Sequence, residues 1–308
     1  MKRFFTWLLV LALAVTGLLG GGAFLAAGQM NLKPIDQANA AAIANAPRGN
    51  IFVTNILLIG VDGSPGNSRA DTLLLLSIDR RTATLKLTSI LRDSWVRFPN
   101  GSYKKINEAT VGNAGGGALA ARVVSENFGV RVDHYMLLSF NAFEKIINAI
   151  GGISVPITQR EINFLARETR LGRQIGKAEM ERQMARNGVV KLNGIQALIF
   201  VRIRYVDDDF MRAGRQRIML DAVMGRIKRN PLRLIPLAVS AVPEIHSSVS
   251  RLDAALLAMQ APAFAFFSLE QHQLPAPGTF RNSTRGGLFI FDLDIAENGR
   301  LLRKFIYG

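Results

Sequence analysis

Charged side chains that suit phosphate and metal chemistry stand beside three short apolar runs in the first third of the chain. They are Asp62, Arg69, Asp71, Arg92 and Asp93. Carboxylates at the ends of adjacent strands can converge on one Mg²⁺, a hard cation that takes oxygen ligands and shares them with phosphate. The planar guanidinium of arginine binds phosphate oxygens in pairs. The pattern predicts a phosphate site beside a divalent cation, although a single Asp at a strand end also serves to cap a turn.

A denser cluster lies in the sequence VRIRYVDDDFMRAGRQR, residues 201–217. Its candidate ligands for a polyanion are Arg202, Arg204, Arg212 and Gln216, with Arg215 and Arg217 as weaker candidates. If the chain is extended at the start of the cluster, Arg202 and Arg204 point the same way, and a following helix would place Arg212 and Arg215 on one face. A surface ladder of salt bridges is the competing interpretation, but it does not explain why the cluster follows the apolar segment IQALIFV.

The apolar runs beside the first group of charges are too short for helices. They predict β-strands over 55–62, 72–79 and 84–91. Asp79–Thr82 has the length of a tight turn, so the second and third strands are expected to pair as a hairpin. In such a hairpin Arg69 and Asp71 fall at the same end of the sheet as Arg92 and Asp93. That concentration of charge is costly unless it meets a metal and a polyanion.

Helices and strands alternate along the rest of the chain, which is typical of an α/β domain. Predicted helices cover 117–128, closed by Gly129, then 141–150 with Asn141 as N-cap, 193–200, 212–229, 250–260 and a stretch from Asp294. Predicted strands cover 132–140, 153–157, 266–274 and 288–293. The charged residues 159–187 are expected to form a helical excursion.

The composition limits the classes of function. The chain has 308 residues, a net charge of +15 and no cysteine. The basic surface attracts anions such as phosphorylated substrates, anionic lipid or nucleic acid. Without cysteine there is no disulfide, thiolate metal site or thiol nucleophile, and the three separated histidines make a histidine zinc site a poor fit.

The first 28 residues are predicted to form a membrane anchor. Lys2 and Arg3 precede an uncharged apolar run from Phe4 to Gly28, and about 20 such residues span a bilayer as a helix. The basic residues predict a cytoplasmic N-terminus and an extracytoplasmic chain beyond the span. A cleaved signal peptide is the alternative, but its apolar core is usually only about 7–15 residues long. Residues 29–50 are interpreted as a linker, and 51–308 as the domain of a single-pass protein of the cell membrane.

Several motifs, taken in order, resemble those of the LytR-CpsA-Psr family of bacterial membrane-anchored cell-wall enzymes. The matching segments are LIGVD (58–62), RADT (69–72), SILRD (89–93), KIN (105–107), GGISV (151–155), LNGIQAL (192–198) and 201–217. The resemblance covers most of residues 52–217. The chain departs from the family at Leu91, where proline is usual, and this change is expected to loosen the backbone before Arg92.

The resemblance implies an α/β/α sandwich with a central mixed β-sheet, preceded by one N-terminal transmembrane helix. Such a protein binds a polyprenyl-pyrophosphate-linked glycan in a hydrophobic pocket and transfers the glycopolymer with one phosphate to a peptidoglycan hydroxyl. Asp62 and Asp71 would hold Mg²⁺ or another divalent cation. The residues that would bind the pyrophosphate or support catalysis are Arg69, Arg92, Lys105, Arg202, Arg204, Arg212 and Gln216. Asp93 would orient Arg92, and either Asp71 or Asp93 would be the general base.

Alternatives remain open at this stage. A pyrophosphatase would use the same residues with water as the attacking group. A membrane-anchored transcriptional attenuator would explain the positive charge, but the predicted anchor places the domain outside the cell, so membrane lipids and no nucleic acid are the expected partners. The apolar segments 218–223 and 252–259 are interpreted either as the lining of an isoprenoid tunnel or as ordinary core.

Overall fold

The computed structural model describes residues 31–32, 35–47, 49–61, 68–111, 116–168, 176–203, 214–215, 218–219, 221–223, 225–226, 229, 245–264 and 266–308. The strands are β1 Asn31–Leu32, β2 Val53–Val61, β3 Ala70–Asp79, β4 Thr84–Ile90, β5 Trp95–Arg97, β6 Tyr103–Lys105, β7 His134–Ser139, β8 Ile153–Pro156, β9 Val189–Leu192, β10 Ile245–Ser247, β11 Ser268–Leu274, β12 Phe280–Arg285 and β13 Leu288–Leu293. The helices are α1 Gln37–Ala44, α2 Gly117–Phe128, α3 Phe140–Ala149, α4 Gln159–Glu168, α5 Lys177–Asn187, α6 Gly194–Arg202, α7 Arg251–Phe264 and α8 Ile295–Tyr307, with a 3₁₀ turn at Ile106–Thr110.

A mixed sheet in the order β1-β10-β7-β2-β3-β4-β11 forms the centre of the described fold. The three predicted apolar strands are confirmed as β2, β3 and β4, and β3 pairs antiparallel with β4 through the expected hairpin. β7 runs parallel to β2, and β11 runs parallel to β4. The C-terminal end of β7 therefore lies at the same edge of the sheet as the end of β2, the start of β3 and the end of β4.

Alternate residues of the strands face two different layers. On one face, here called face A, side chains such as Leu57 and Leu75 are fully buried against α2 and α8. On the other, face B, Ile56, Ile78 and Leu85 are buried where α7 covers them. Helices thus cover both faces of a mixed sheet, as the family resemblance implies.

A second apolar cluster lies beside the sheet. It joins α3, α4, α5 and α6 with the small β8–β9 sheet, and Met219 is buried in it. Ile218, Ala222 and Val223 pack against the same cluster, so this segment is core packing in the described residues. By contrast, Leu252 and Leu256 of α7 are exposed.

The segment 29–50 is not an extended linker throughout. Residues 31–32 pair with β10, and α1 begins at an Asp36 N-cap and buries Ile43 in the core of face A. The prediction failed because the alanine-rich sequence carries only one large apolar residue within this helix. A single buried contact leaves no periodic signal.

Two other predictions concern segment boundaries. The N-cap of α3 is Ser139, whose hydroxyl accepts from the Ala142 N–H at 3.2 Å, and not Asn141. The predicted anchor, 1–28, lies outside the described residues. In the part of the chain that the structure describes, no helix is both long and apolar enough to cross a bilayer.

Candidate functional site

A chain of ion pairs joins four of the predicted site residues at one edge of the central sheet. Arg92 donates from Nη1 to Asp71 Oδ1 at 3.0 Å and from Nε to Asp93 Oδ2 at 3.2 Å. Lys105 Nζ donates to Asp93 Oδ1 at 2.6 Å. All four side chains are largely buried, with exposed fractions between 9% and 22%. Cations and carboxylates therefore alternate here and neutralise one another at close range.

The strand register explains the first contact. Leu73 pairs with Ile90 across the hairpin, so the residues two positions beyond the pair, Asp71 and Arg92, are opposite one another. The pairing of β2 with β3 shifts between Gly60 and Val61, which leaves Asp71 as the extra residue of a β-bulge. Bulges redirect a side chain and end regular pairing, and they are frequent next to active sites. The hairpin and the bulge together direct Asp71 towards Arg92.

Backbone contacts hold the turn that carries Arg92. The Arg92 carbonyl accepts from the Asn107 N–H at 3.3 Å, and the Ser94 carbonyl accepts from the Ile106 N–H at 2.9 Å. Leu91 is buried, and its N–H donates to the Leu274 carbonyl at 2.8 Å. Proline could not make that bond because it lacks an N–H. The expected loosening at Leu91 is therefore wrong, since this residue ties the turn to β11.

Arg202 lies at the same edge of the central sheet, near the end of β7. Its guanidinium lies 4.1 Å from the ring centroid of Phe140, the first residue of α3. Phe140 follows Ser139, which pairs with Val61 at the end of β2. Three strand spacings of about 4.8 Å separate β7 from β4, so the ends of the strands that lead to Phe140 and to Arg92 are roughly 14 Å apart. A cation–π contact of this kind orients a guanidinium without neutralising its charge.

Helix packing determines where Arg202 lies. Asn193 and Gln196 form a reciprocal capping box at the start of α6, and the Gly194 N–H donates to Asn148 at 2.8 Å. A Cβ at Gly194 would collide with the Glu144 carbonyl, so only glycine allows α6 to approach α3 this closely. Arg202 occupies the last position of α6, so the chain is not extended there, which was the condition for Arg202 and Arg204 to point the same way.

Arg215 serves the site indirectly. It is 3% exposed, and it donates to Glu161 Oε1 at 3.3 Å and to the Ile203 carbonyl at 2.8 Å. Glu161 also accepts from the N–H and the hydroxyl of Thr158 at the start of α4. Arg215 therefore holds Ile203, the residue after Arg202, against the interior. Its guanidinium does not point into an open site.

Arg69 is exposed just before β3, and the adjoining Ser68 carbonyl accepts from Thr110 Oγ1 at 2.9 Å. It flanks the ion-pair chain at Asp71. The other predicted ligands, Asp62, Arg204, Arg212 and Gln216, lie outside the described residues. Among the described side chains, no group of three or more acidic or histidine residues is arranged to hold a metal.

The histidines belong to the packing of the sheet. Burial lowers the pKa of His134 and of His272, and His272 stacks on Phe305 at 5.0 Å. Both imidazoles therefore stay uncharged near neutral pH.

An apolar strip on face B leads to the ion-pair chain. Leu58, Leu76, Met136 and Leu138 face this side of the sheet and are only half-buried. Gly60 continues the strip towards Asp71 without a side chain. Phe140 and this strip are features that the sequence did not reveal, since nothing in an apolar run separates a half-buried strand surface from core.

The chain is similar to known proteins in sequence and in fold. The family model described as LytR_cpsA_psr matches residues 32–300. The teichoic acid transferase TagT of Bacillus subtilis is 30% identical over 181 residues, 56% of this chain and 52% of the relative. The TagU transferase of Oceanobacillus iheyensis is 34% identical over 177 residues, 55% of this chain and 50% of the relative. The chain thus spans about half the length of these curated relatives.

A solved structure described as TagT bound to LI-WTA superposes with a TM-score of 0.65 at 25% identity. The match covers 83% of this chain and 90% of that one. Since the family model matches most of the sequence, the chain belongs to the LytR_cpsA_psr family.

Proposed function

We propose that the protein is a phosphotransferase that moves a glycopolymer from a polyprenyl-pyrophosphate carrier onto peptidoglycan. The observation that carries the proposal is the alternating chain Asp71–Arg92–Asp93–Lys105 beside Arg202. The printed names of the relatives, polyisoprenyl-teichoic acid–peptidoglycan teichoic acid transferases, support the same substrate class. The domain would work outside the cytoplasmic membrane, held there by residues 1–28.

The apolar strip supports a lipid-linked donor. Half-buried leucine and methionine side chains in a sheet face favour an apolar occupant, because covering them removes hydrocarbon from water at about 25 cal/mol per Å². The strip ends at the charged edge, as a molecule with an isoprenoid tail and a pyrophosphate head requires. The tail would lie on face B and the head between Arg92 and Arg202.

A divalent cation fits this edge by the chemistry of its donors. Asp71 presents a hard carboxylate beside the place of the pyrophosphate, and Mg²⁺ is commonly bound by one or two carboxylates together with substrate phosphates. Asp62 would be the second protein ligand. Bound there, the cation would neutralise charge on the leaving phosphate.

The protein residues would act mainly by position and charge. Arg92 and Arg202 would bind phosphate oxygens from two sides and stabilise the charge that develops on the leaving polyprenyl phosphate. Both oxygens of Asp93 accept bonds, from Arg92 and from Lys105. This arrangement suits Asp93 for orienting Arg92 and makes it a poor proton acceptor.

The proposal is tested by a transfer assay with purified protein, a short-chain polyprenyl-pyrophosphate glycan as donor and soluble peptidoglycan as acceptor. We expect glycan attachment by the parent protein and a loss of about 10²–10³-fold in Arg202→Ala, by analogy with the removal of other transition-state donors. Arg167→Ala is the matched control, because Arg167 also lies over a phenylalanine ring, at 5.2 Å from Phe164, but away from the site. Release of polyprenyl phosphate without glycan attachment would establish the pyrophosphatase alternative instead.

Gly60→Val should obstruct the passage from the apolar strip to the charged edge. A Cβ at position 60 would lie 3.3 Å from Thr72 Cβ, so the added branches must extend over face B. Valine favours strands, and the sheet should therefore persist. We expect the KM for the lipid donor to rise about tenfold, equivalent to about 1.4 kcal/mol, while Gly60→Ala changes it far less. If the parent protein and both variants have equal KM values for the donor, the lipid tail does not lie in this passage.

A further inference from the structure

Two small hairpins beside the ion-pair chain form a second exposed surface. β5 pairs with β6, β12 pairs with β13, and the isolated bridge Ser94–Phe291 joins the two pairs. Val96 of the first hairpin and Ile290 and Phe291 of the second are buried. The residues grouped around the Trp95–Arg285 contact, here called the platform, are Trp95, Arg97, Tyr103, Lys105, Arg285 and Leu288.

Strand alternation and direct contacts place these residues together. Lys105 is the cross-strand partner of Trp95, and Tyr103 is the partner of Arg97. The guanidinium of Arg285 lies 5.7 Å from the Trp95 ring centroid, and Leu288 is the cross-strand partner of Arg285. Tyr103 and Leu288 are 49% and 48% exposed. The platform therefore offers aromatic and aliphatic surface among cations.

The platform is continuous with the candidate active site. Lys105 belongs to both, because its ammonium donates to Asp93 at 2.6 Å. The Asp93 carbonyl also accepts from the Phe291 N–H at 3.0 Å. A ligand on the platform would thus extend directly to the phosphate proposed at Arg92.

The platform and the apolar strip lie on different sides of the sheet edge. Both backbone groups of Arg97 bond to Asn127 of α2, at 2.9 and 2.8 Å, and α2 covers face A. The apolar strip lies on face B. In phosphoryl transfer the attacking and leaving oxygens are roughly in line through phosphorus. If the lipid phosphate leaves towards face B, the attacking hydroxyl approaches from the side of the platform.

We propose that the platform binds the acceptor, a carboxylate-bearing glycan strand, and presents its hydroxyl to the phosphorus. This inference rests on the proposed function. Sugar rings have apolar C–H faces that pack on aromatic rings such as Trp95 and Tyr103. Arg97, Lys105 and Arg285 complement the carboxylates of such a strand and bond its hydroxyl groups.

The test is a titration of the full chain with soluble, uncrosslinked peptidoglycan glycan strands. We expect the double variant Tyr103→Ala/Arg285→Ala to bind the strands about tenfold more weakly, because exposed aromatic and arginine anchors dominate such surfaces. The matched control is Phe266→Ala/Arg300→Ala. Phe266 is 83% exposed, and Arg300 forms an exposed ion pair as Arg285 does.

Binding of a polyprenyl pyrophosphate to the same variants separates the two proposals. Weaker strand binding with unchanged lipid binding supports the platform. Unchanged strand binding in a folded double variant overturns it, whatever the donor does. If the double variant loses binding only of the free donor glycopolymer, the proposal is also overturned, because the platform would then bind the donor. If the parent protein binds glycan strands through the platform but does not bind polyprenyl pyrophosphate, the proposed function is wrong, whereas the platform is still a glycan-binding surface.

Discussion

Arg92→Ala is expected to lower glycan transfer about 10²–10³-fold and to leave the fold intact. The guanidinium bonds to both Asp71 and Asp93, and it faces the place proposed for the pyrophosphate. Removal of one positioned donor to a developing charge commonly has an effect of this size. Arg92→Lys should be nearly as impaired, because an ammonium cannot reproduce the planar fork. Transfer rates at saturating donor provide the measurement.

Arg131→Ala is the matched control for Arg92→Ala. Arg131 also forms a partly buried ion pair, with Asp133 at 3.3 Å, but it lies next to β7 at the opposite end of the sheet. The two variants should show similar circular dichroism, and transfer should survive only in Arg131→Ala. Full transfer by a folded Arg92→Ala protein would exclude this residue from the reaction.

Arg215→Ala should have the largest effect on stability. The change leaves Glu161 as a buried carboxylate without this partner and also removes the bond to the Ile203 carbonyl. Breaking one side of a buried pair typically costs about 3–5 kcal/mol. We expect a lower denaturant midpoint, together with a loss of transfer, because α6 would no longer hold Arg202 over Phe140.

A double variant tests whether Arg215 and Glu161 act as a pair. Arg215→Met/Glu161→Gln should be less destabilised than the sum of the single changes, since the uncompensated charge disappears. Arg182→Ala is the comparison for an ordinary ion pair. Its partner Glu179 is 2.7 Å away at an exposed position, where such pairs contribute little to stability. Additive single effects at 161 and 215 would contradict the pairing.

The hairpin and the approach of its charged ends could be predicted from the sequence. Apolar runs of strand length and a short turn at Asp79–Thr82 leave one simple pairing, in which Asp71 and Arg92 share an edge. Local patterns also placed α2, closed by Gly129, and most of α6, predicted over 193–200. These features depend on residues close together in the chain, so they can be predicted without knowledge of their tertiary contacts.

Tertiary structure decided the features that depend on distant partners. The two small hairpins were missed apart from β13, because strands as short as Trp95–Arg97 and Tyr103–Lys105 carry too few residues for a periodic pattern. Whether an arginine of the cluster faces substrate or core depends on where its helix ends and what lies beside it. Arg202 lies at the sheet edge because α6 packs closely on α3. Arg215 points inward because its guanidinium bonds to the buried Glu161. Residue type alone makes both arginines equal candidates, and only packing distinguishes them.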